Sequence, residues 1–84
     1  MTRFLVLVMR TPRFDAGLIE AHRAFLDALR REGRLELAGG FADRSGGAYL
    51  LRADSLPAAQ AIAAGDPLVA AGASVATVHE WHAA

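Results

Sequence analysis

Every position from Phe4 to Met9 is apolar, with Arg3 and Arg10 at either end. Successive side chains of a strand point to opposite faces, so this run predicts a central strand over 3–10 that is covered on both sides. Thr11-Pro12-Arg13 ends it, and the apolar spacing then lengthens to that of a helix. Leu18, His22, Phe25, Leu26 and Leu29 fall on one stripe, while Glu20, Arg23, Asp27, Arg30 and Arg31 face away from it. Asp15 stands where an N-cap belongs, with Phe14 and Ile19 spaced for a hydrophobic staple across it. Gly33 supplies a C′ residue able to take positive φ.

Leu35, Leu37 and Gly39 then alternate with Glu36 and Ala38, the pattern of a second strand. Gly39-Gly40 and the segment Asp43 to Gly47 predict a hairpin connection, and Ala48 to Arg52 a third strand. Ser55 caps a second helix with Pro57 in its first turn, packing through Leu56, Ala59, Ile62 and Ala63 and closed by Gly65. Asp66-Pro67 opens a short turn or single helical turn to Gly72. Val75 to Trp81 forms the last strand, with Val75, Thr77, His79 and Trp81 on one face and Ala76, Val78 and Glu80 on the other. The order is βαββαβ over a single domain, residues 1–84. It predicts an α+β, ferredoxin-like fold: one four-stranded antiparallel sheet with both helices on one face.

That architecture leaves one face of an apolar strand bare. Phe4/Val6/Val8 and Leu5/Leu7/Met9 are both apolar sets, and the helices cover only one of them. A patch of several hundred Å² would remain, of a size that monomers rarely expose. The expectation is a homodimer, packed sheet face to sheet face. Composition agrees: an 84-residue chain that is 54% hydrophobic has more apolar surface than a small core hides.

Charge narrows the function classes. The net charge is zero, and all nine basic residues are Arg. A nucleic-acid binder needs a basic face to displace counterions, so none is expected. RNA-recognition modules share this topology but stack bases on strand aromatics within a basic setting, and Phe4 and Tyr49 lack that setting. The chain has no cysteine, hence no disulfide or thiolate metal site. No metal and no cofactor are expected, and His79 and His82 are three apart on a strand, facing opposite ways. The apolar run is too short to span a bilayer or to serve as a signal sequence, so the protein is expected to be cytoplasmic, without membrane association.

His22 sits on an apolar helix stripe, where an imidazole requires a polar partner. It is either a structural histidine bonded to the backbone or a general base beside a pocket, since imidazole titrates near neutrality. Asp66 is either the N-cap of the short turn or a carboxylate that orients an imidazole, and its two oxygens allow it to divide the roles. Arg13, just before a helix N-terminus, is either a solvated surface arginine or a charge placed to attract a small anion. Gly39 and Gly40 allow a ligand to approach the backbone. They are not a phosphate loop, because no helix follows. Trp81 packs in the sheet or walls an apolar pocket.

The pattern His22-x-x-x-Leu26, Gly33-Arg34-Leu35, Gly39-Gly40, Ala58-x-x-x-Ile62, Asp66-Pro67-Leu68, Gly72 and Trp81 resembles the YciI-like (YCII-related) family over nearly the whole chain. The resemblance implies a ferredoxin-like dimer related to muconolactone isomerase-like proteins, with His22 and Asp66 as the active-site pair. The chain departs from the family at Gly40, where Pro often stands, and in the short loop before the first helix. Two functions follow. One is a small cofactor-free enzyme, isomerase- or lyase-like, that uses His22 as base and Asp66 to orient it on a small organic molecule. Its alternative is a non-catalytic dimeric ligand-binding or interaction module in which the two residues form a structural hydrogen bond.

Overall fold

The computed structural model describes residues 2–84, so of the expected domain only Met1 lies outside the described residues. Four strands, β1 (Thr2–Arg10), β2 (Leu35–Gly40), β3 (Gly46–Ala53) and β4 (Ser74–Glu80), form one antiparallel sheet in the order β2-β3-β1-β4. Between them lie α1 (Ile19–Arg31), α2 (Leu56–Ala64) and the single turn α3 (Pro67–Ala70). This is the ferredoxin-like arrangement, with the most continuously apolar strand, β1, paired on both sides by β3 and β4.

Local chemistry sets the helix limits. Asp15 caps a 3-10 turn over Ala16–Leu18, its Oδ1 accepting from the Gly17 N–H at 2.8 Å, and α1 continues from that turn. α1 ends in a Schellman motif: Gly33 has φ of 75°, its N–H donates to Arg30, and the Arg34 N–H donates back to Leu29. Ser55 Oγ accepts from the Ala58 N–H to start α2.

Phe4, Val6 and Val8 alternate inward and form the core with Tyr49, Leu51 and Ala53 of β3, under Leu29 of α1 and Ala59 and Ala63 of α2. Phe4, Val6 and Leu51 are fully enclosed, and each such side chain contributes about 1.5–3 kcal/mol by burial. Alanines on α2 let that helix lie close to the sheet. The opposite face carries Leu5, Leu7 and Met9 with their cross-strand partners Leu50, Ala48, His79, Thr77 and Val75, and no helix lies over it.

Two expectations about the hairpin change. The glycine pairs expected in its turn belong to the strands: Gly40 pairs with Gly47 and Gly39 with Ala48, and the turn itself is residues 41–45. A Cβ on Gly47 would stand 2.4 Å from the Gly39 carbonyl oxygen, so the strands approach this closely only because Gly47 has none. The simple alternation expected along β2 also fails. A bulge at Glu36 sets Leu35 opposite Leu51 on the helix side and Leu37 opposite Leu50 on the bare side. Leu35 is buried as a result, whereas Leu37 is 69% exposed.

Candidate functional site

A hollow arises where the sheet runs out of side chains. Val8 points toward the helices, but its neighbours in register are Gly47 and, beyond it, Gly40. With two glycines side by side on the inner face, α1 passes over empty space. The resulting cavity has a volume of about 420 Å³, within the usual range for small-molecule sites. Its walls are Phe14, Ile19 and Leu26 on the α1 side, Ala38 to Gly40 and Gly46 to Tyr49 on the sheet, with Leu68 and Ser74 completing them.

His22 and Asp66 meet at this cavity. The imidazole, half-buried on the inner stripe of α1, directs Nδ1 to Asp66 Oδ2 at 2.8 Å. Asp66 is completely buried, and its other oxygen, Oδ1, accepts from the Leu68 N–H at 3.0 Å as the cap of α3. An ionised carboxylate can only accept, so the bonded Nδ1 carries the hydrogen, and in the neutral ring the lone pair lies on Nε2. His22 lines the cavity, which makes Nε2 the ring nitrogen available to a bound molecule. A buried carboxylate that fixes the tautomer and supports the imidazolium is the arrangement by which a histidine serves as general base.

The remaining residues singled out in the sequence divide. Gly39 and Gly40 line the cavity. Arg13 is not part of the lining, and its guanidinium lies against Gly72, where a Cβ would stand 2.7 Å from Nη2. Trp81 follows β4 at the far end of the sheet, donating its N–H to the Arg3 carbonyl, and is likewise not in the lining. Several lining residues carried no signal in the sequence. Tyr49 and Ser74 are buried, and neither hydroxyl has a hydrogen-bond partner among the described residues. Burial, followed by the nearby Asp66 charge, raises the Tyr49 pKa well above the usual phenol value. Arg10 projects on the same side, its guanidinium 4.0 Å from the Phe14 ring centroid. Arg23 and the Asp27–Arg30 ion pair, at 2.9 Å, complete the rim. Among the described residues, no group of three or more His, Asp or Glu side chains is arranged to hold a metal ion.

Comparison with known proteins places this geometry in context. A family model described as the YCII-related domain matches residues 2–82. A protein of Bacillus subtilis (strain 168), called "Uncharacterized protein YjpA", is 47% identical over 81 residues, covering 96% of this chain and 95% of its own length. Among solved structures, 5-chloro-2-hydroxyhydroquinone dehydrochlorinase (TftG) from Burkholderia phenoliruptrix AC1100, in complex with 2,5-dihydroxybenzoquinone, superposes with a TM-score of 0.74. That likeness covers 98% of this chain and 95% of the other at 21% identity, and it is a likeness of fold.

Proposed function

The chain belongs to the YCII-related domain family, and we propose that it is a small cytoplasmic, cofactor-free enzyme of the lyase or isomerase kind, acting as a homodimer on a small organic molecule. The carrying observation is the 2.8 Å bond from His22 Nδ1 to a fully buried Asp66, at the wall of a cavity of small-molecule size. His22 Nε2 takes a proton from an acidic C–H or O–H of the substrate. Asp66 stabilises the imidazolium formed, and the proton is returned at another atom, or a leaving group departs instead. The dehydrochlorinase of similar fold, bound to a small oxygenated ring, supports an elimination or isomerisation on a compact substrate.

The test is proton exchange. In deuterated water, hydroxylated rings and small lactones are followed by NMR for exchange, isomerisation or loss of a leaving group. The wild-type protein is expected to turn over at least one of them, and His22→Ala to lower that rate by about 10²–10⁴-fold, the usual contribution of a positioned base. No exchange with any of these compounds, together with a His22→Ala variant more stable than wild type, would sink the reading.

One observation favours the second reading, a non-catalytic ligand-binding or interaction module. Asp66 already has a structural task, because Oδ1 caps α3. If the pair is structural alone, His22→Ala and Asp66→Ala each lower the thermal midpoint and neither alters any chemistry.

A further inference from the structure

We propose that the cavity selects a small organic anion, a carboxylate or phenolate on an apolar ring, and that Arg10 and Arg23 are the side chains that bind its charge. The inference rests on the reading of the cavity as a substrate site and supplies the substrate class.

The observations are electrostatic. The chain has no net charge, yet its cavity does. Three arginines line it against one carboxylate, Asp27, which is held by Arg30. Neither Arg10 nor Arg23 forms an ion pair among the described residues. Counting the buried Asp66 behind His22 still leaves the site positive. Charge of one sign against low-dielectric walls concentrates ligands of the other sign. Arg10 is also held in place: its guanidinium lies on the Phe14 ring, which limits the freedom it loses on binding.

A second observation points the same way. Ser74 is the cross-strand partner of Arg10 in the β1–β4 register, and Tyr49 lies further along the same inner face. Both hydroxyls are buried at the cavity's lining without an acceptor among the described residues. A second copy packed on the bare face would not supply one, because the sheet lies between. A bound anion would bring acceptor oxygens to the end of the cavity where Arg10 and Ser74 stand side by side. Phe14, Ile19 and Leu26 require the rest of that ligand to be apolar, which excludes inorganic anions as the preferred occupant.

The experiment uses the intact protein and isothermal titration with three probes: benzoate, 4-nitrophenolate at a pH where it is ionised, and neutral benzamide. At least one anion is expected to bind tenfold or more tightly than benzamide, and which of them binds identifies carboxylate or phenolate as the group recognised. Arg10→Gln and Arg23→Gln are each expected to weaken the anion about tenfold, as for a lost charged hydrogen bond, and to leave benzamide unchanged. Arg44→Gln, outside the lining, serves as the control for net charge. Equal affinities for anion and amide, no binding of either anion, or anion affinities unmoved in both arginine variants would overturn the inference. His22→Ala separates it from the proposed function. Anion binding that survives in His22→Ala, with no proton exchange in wild type, sinks the enzyme and leaves the anion site standing. Proton exchange lost in His22→Ala, with anion affinity unmoved in both arginine variants, does the reverse.

Discussion

Asp66 carries two obligations on two oxygens, and truncating it breaks both. Asp66→Ala removes the cap of α3 and the partner of His22 Nδ1 at a fully buried position. A loss of about 2–4 kcal/mol is expected from chemical denaturation. His22→Ala leaves the cap intact and strands only Oδ2, so its effect should be smaller, and a double-mutant cycle should return a coupling of about 0.5–3 kcal/mol. Strictly additive losses would mean that the bond contributes nothing. Tyr49 gives a prediction of opposite character. Its hydroxyl is buried and unpartnered, so Tyr49→Phe should be neutral or stabilising by about 1 kcal/mol near neutral pH. Its folded pKa is raised by burial and by Asp66, so the stabilising contribution is present below the unfolded pKa of about 10 and is lost as pH rises from there toward the folded value. Tyr49 is the chain's only tyrosine, so phenolate absorbance follows this one group. An ordinary titration near pH 10, or an alkaline loss of stability unchanged in Tyr49→Phe, would contradict the assignment.

The hairpin of β2 and β3 makes the cavity, and it is also the element whose sequence is hardest to read. Gly39, Gly40, Gly46 and Gly47 look like turn residues because glycine relieves backbone restriction, yet all four lie in strands. At Gly46 and Gly47 what the missing side chain relieves is contact between strands, which depends on register. Gly47→Ala should therefore destabilise by about 1–3 kcal/mol, since its Cβ meets backbone atoms that cannot swing aside. Gly39→Ala, with nothing within 4 Å of its Cβ, should stay within about 0.5 kcal/mol of wild type. Equal thermal midpoints for the two variants would refute the close approach. The bulge makes a second prediction. It places Glu36 beside Arg52 and Arg3, and chiefly the Arg52 hydrogen bond, with help from Arg3, holds its carboxyl below the usual range against the opposing effect of burial. Stability from this contact is present above the unfolded pKa near 4.3 and is lost as pH falls through the lowered folded value. Glu36→Gln should flatten the acid limb of a thermal-midpoint profile. Elements with local signals were legible: the apolar run of β1, the inner stripe of α1 that presents His22, and the caps at Asp15, Ser55 and Asp66 all stand where short-range spacing puts them. Arg10, Ser74 and Tyr49 were not marked, because only the pairing of strands far apart in sequence brings them to one cavity. Arg13 and Trp81 show the same limit, since nothing local reveals that the fold leaves them out of the cavity lining.

The sheet has one covered face, and the homodimer proposed here concerns the other. Leu5 and Leu7 are only partly shielded, Met9 is 37% exposed, Leu37 69% and Val75 55%, and all stand on the side without helices. A dimer interface of ordinary size covers about 800 Å² per partner, and a chain of 5139 Å² total surface can give up that much from one face of its sheet. Polar groups border the patch in a suitable way: Arg3, Glu36 and Arg52 form an ion cluster at one end, leaving the centre to Leu5, Leu7 and Leu50. Sedimentation equilibrium should therefore return twice the 8.9 kDa chain mass at micromolar concentration, with a thermal midpoint that rises with protein concentration. Leu7 lies at the middle of the face, between Ala48 and Thr77. Leu7→Glu would bury an unpaired carboxylate in the joined form but expose it harmlessly in the separate one. It should shift the mass to a single chain while the far-ultraviolet circular dichroism stays that of the folded protein. Leu7 is not in the cavity lining, which α1 shares from the other side of the sheet, so the variant should also keep its affinity for the anionic probes. A wild-type protein that sediments as one folded chain at every concentration would remove the second copy from the account and leave the His22–Asp66 pair untouched.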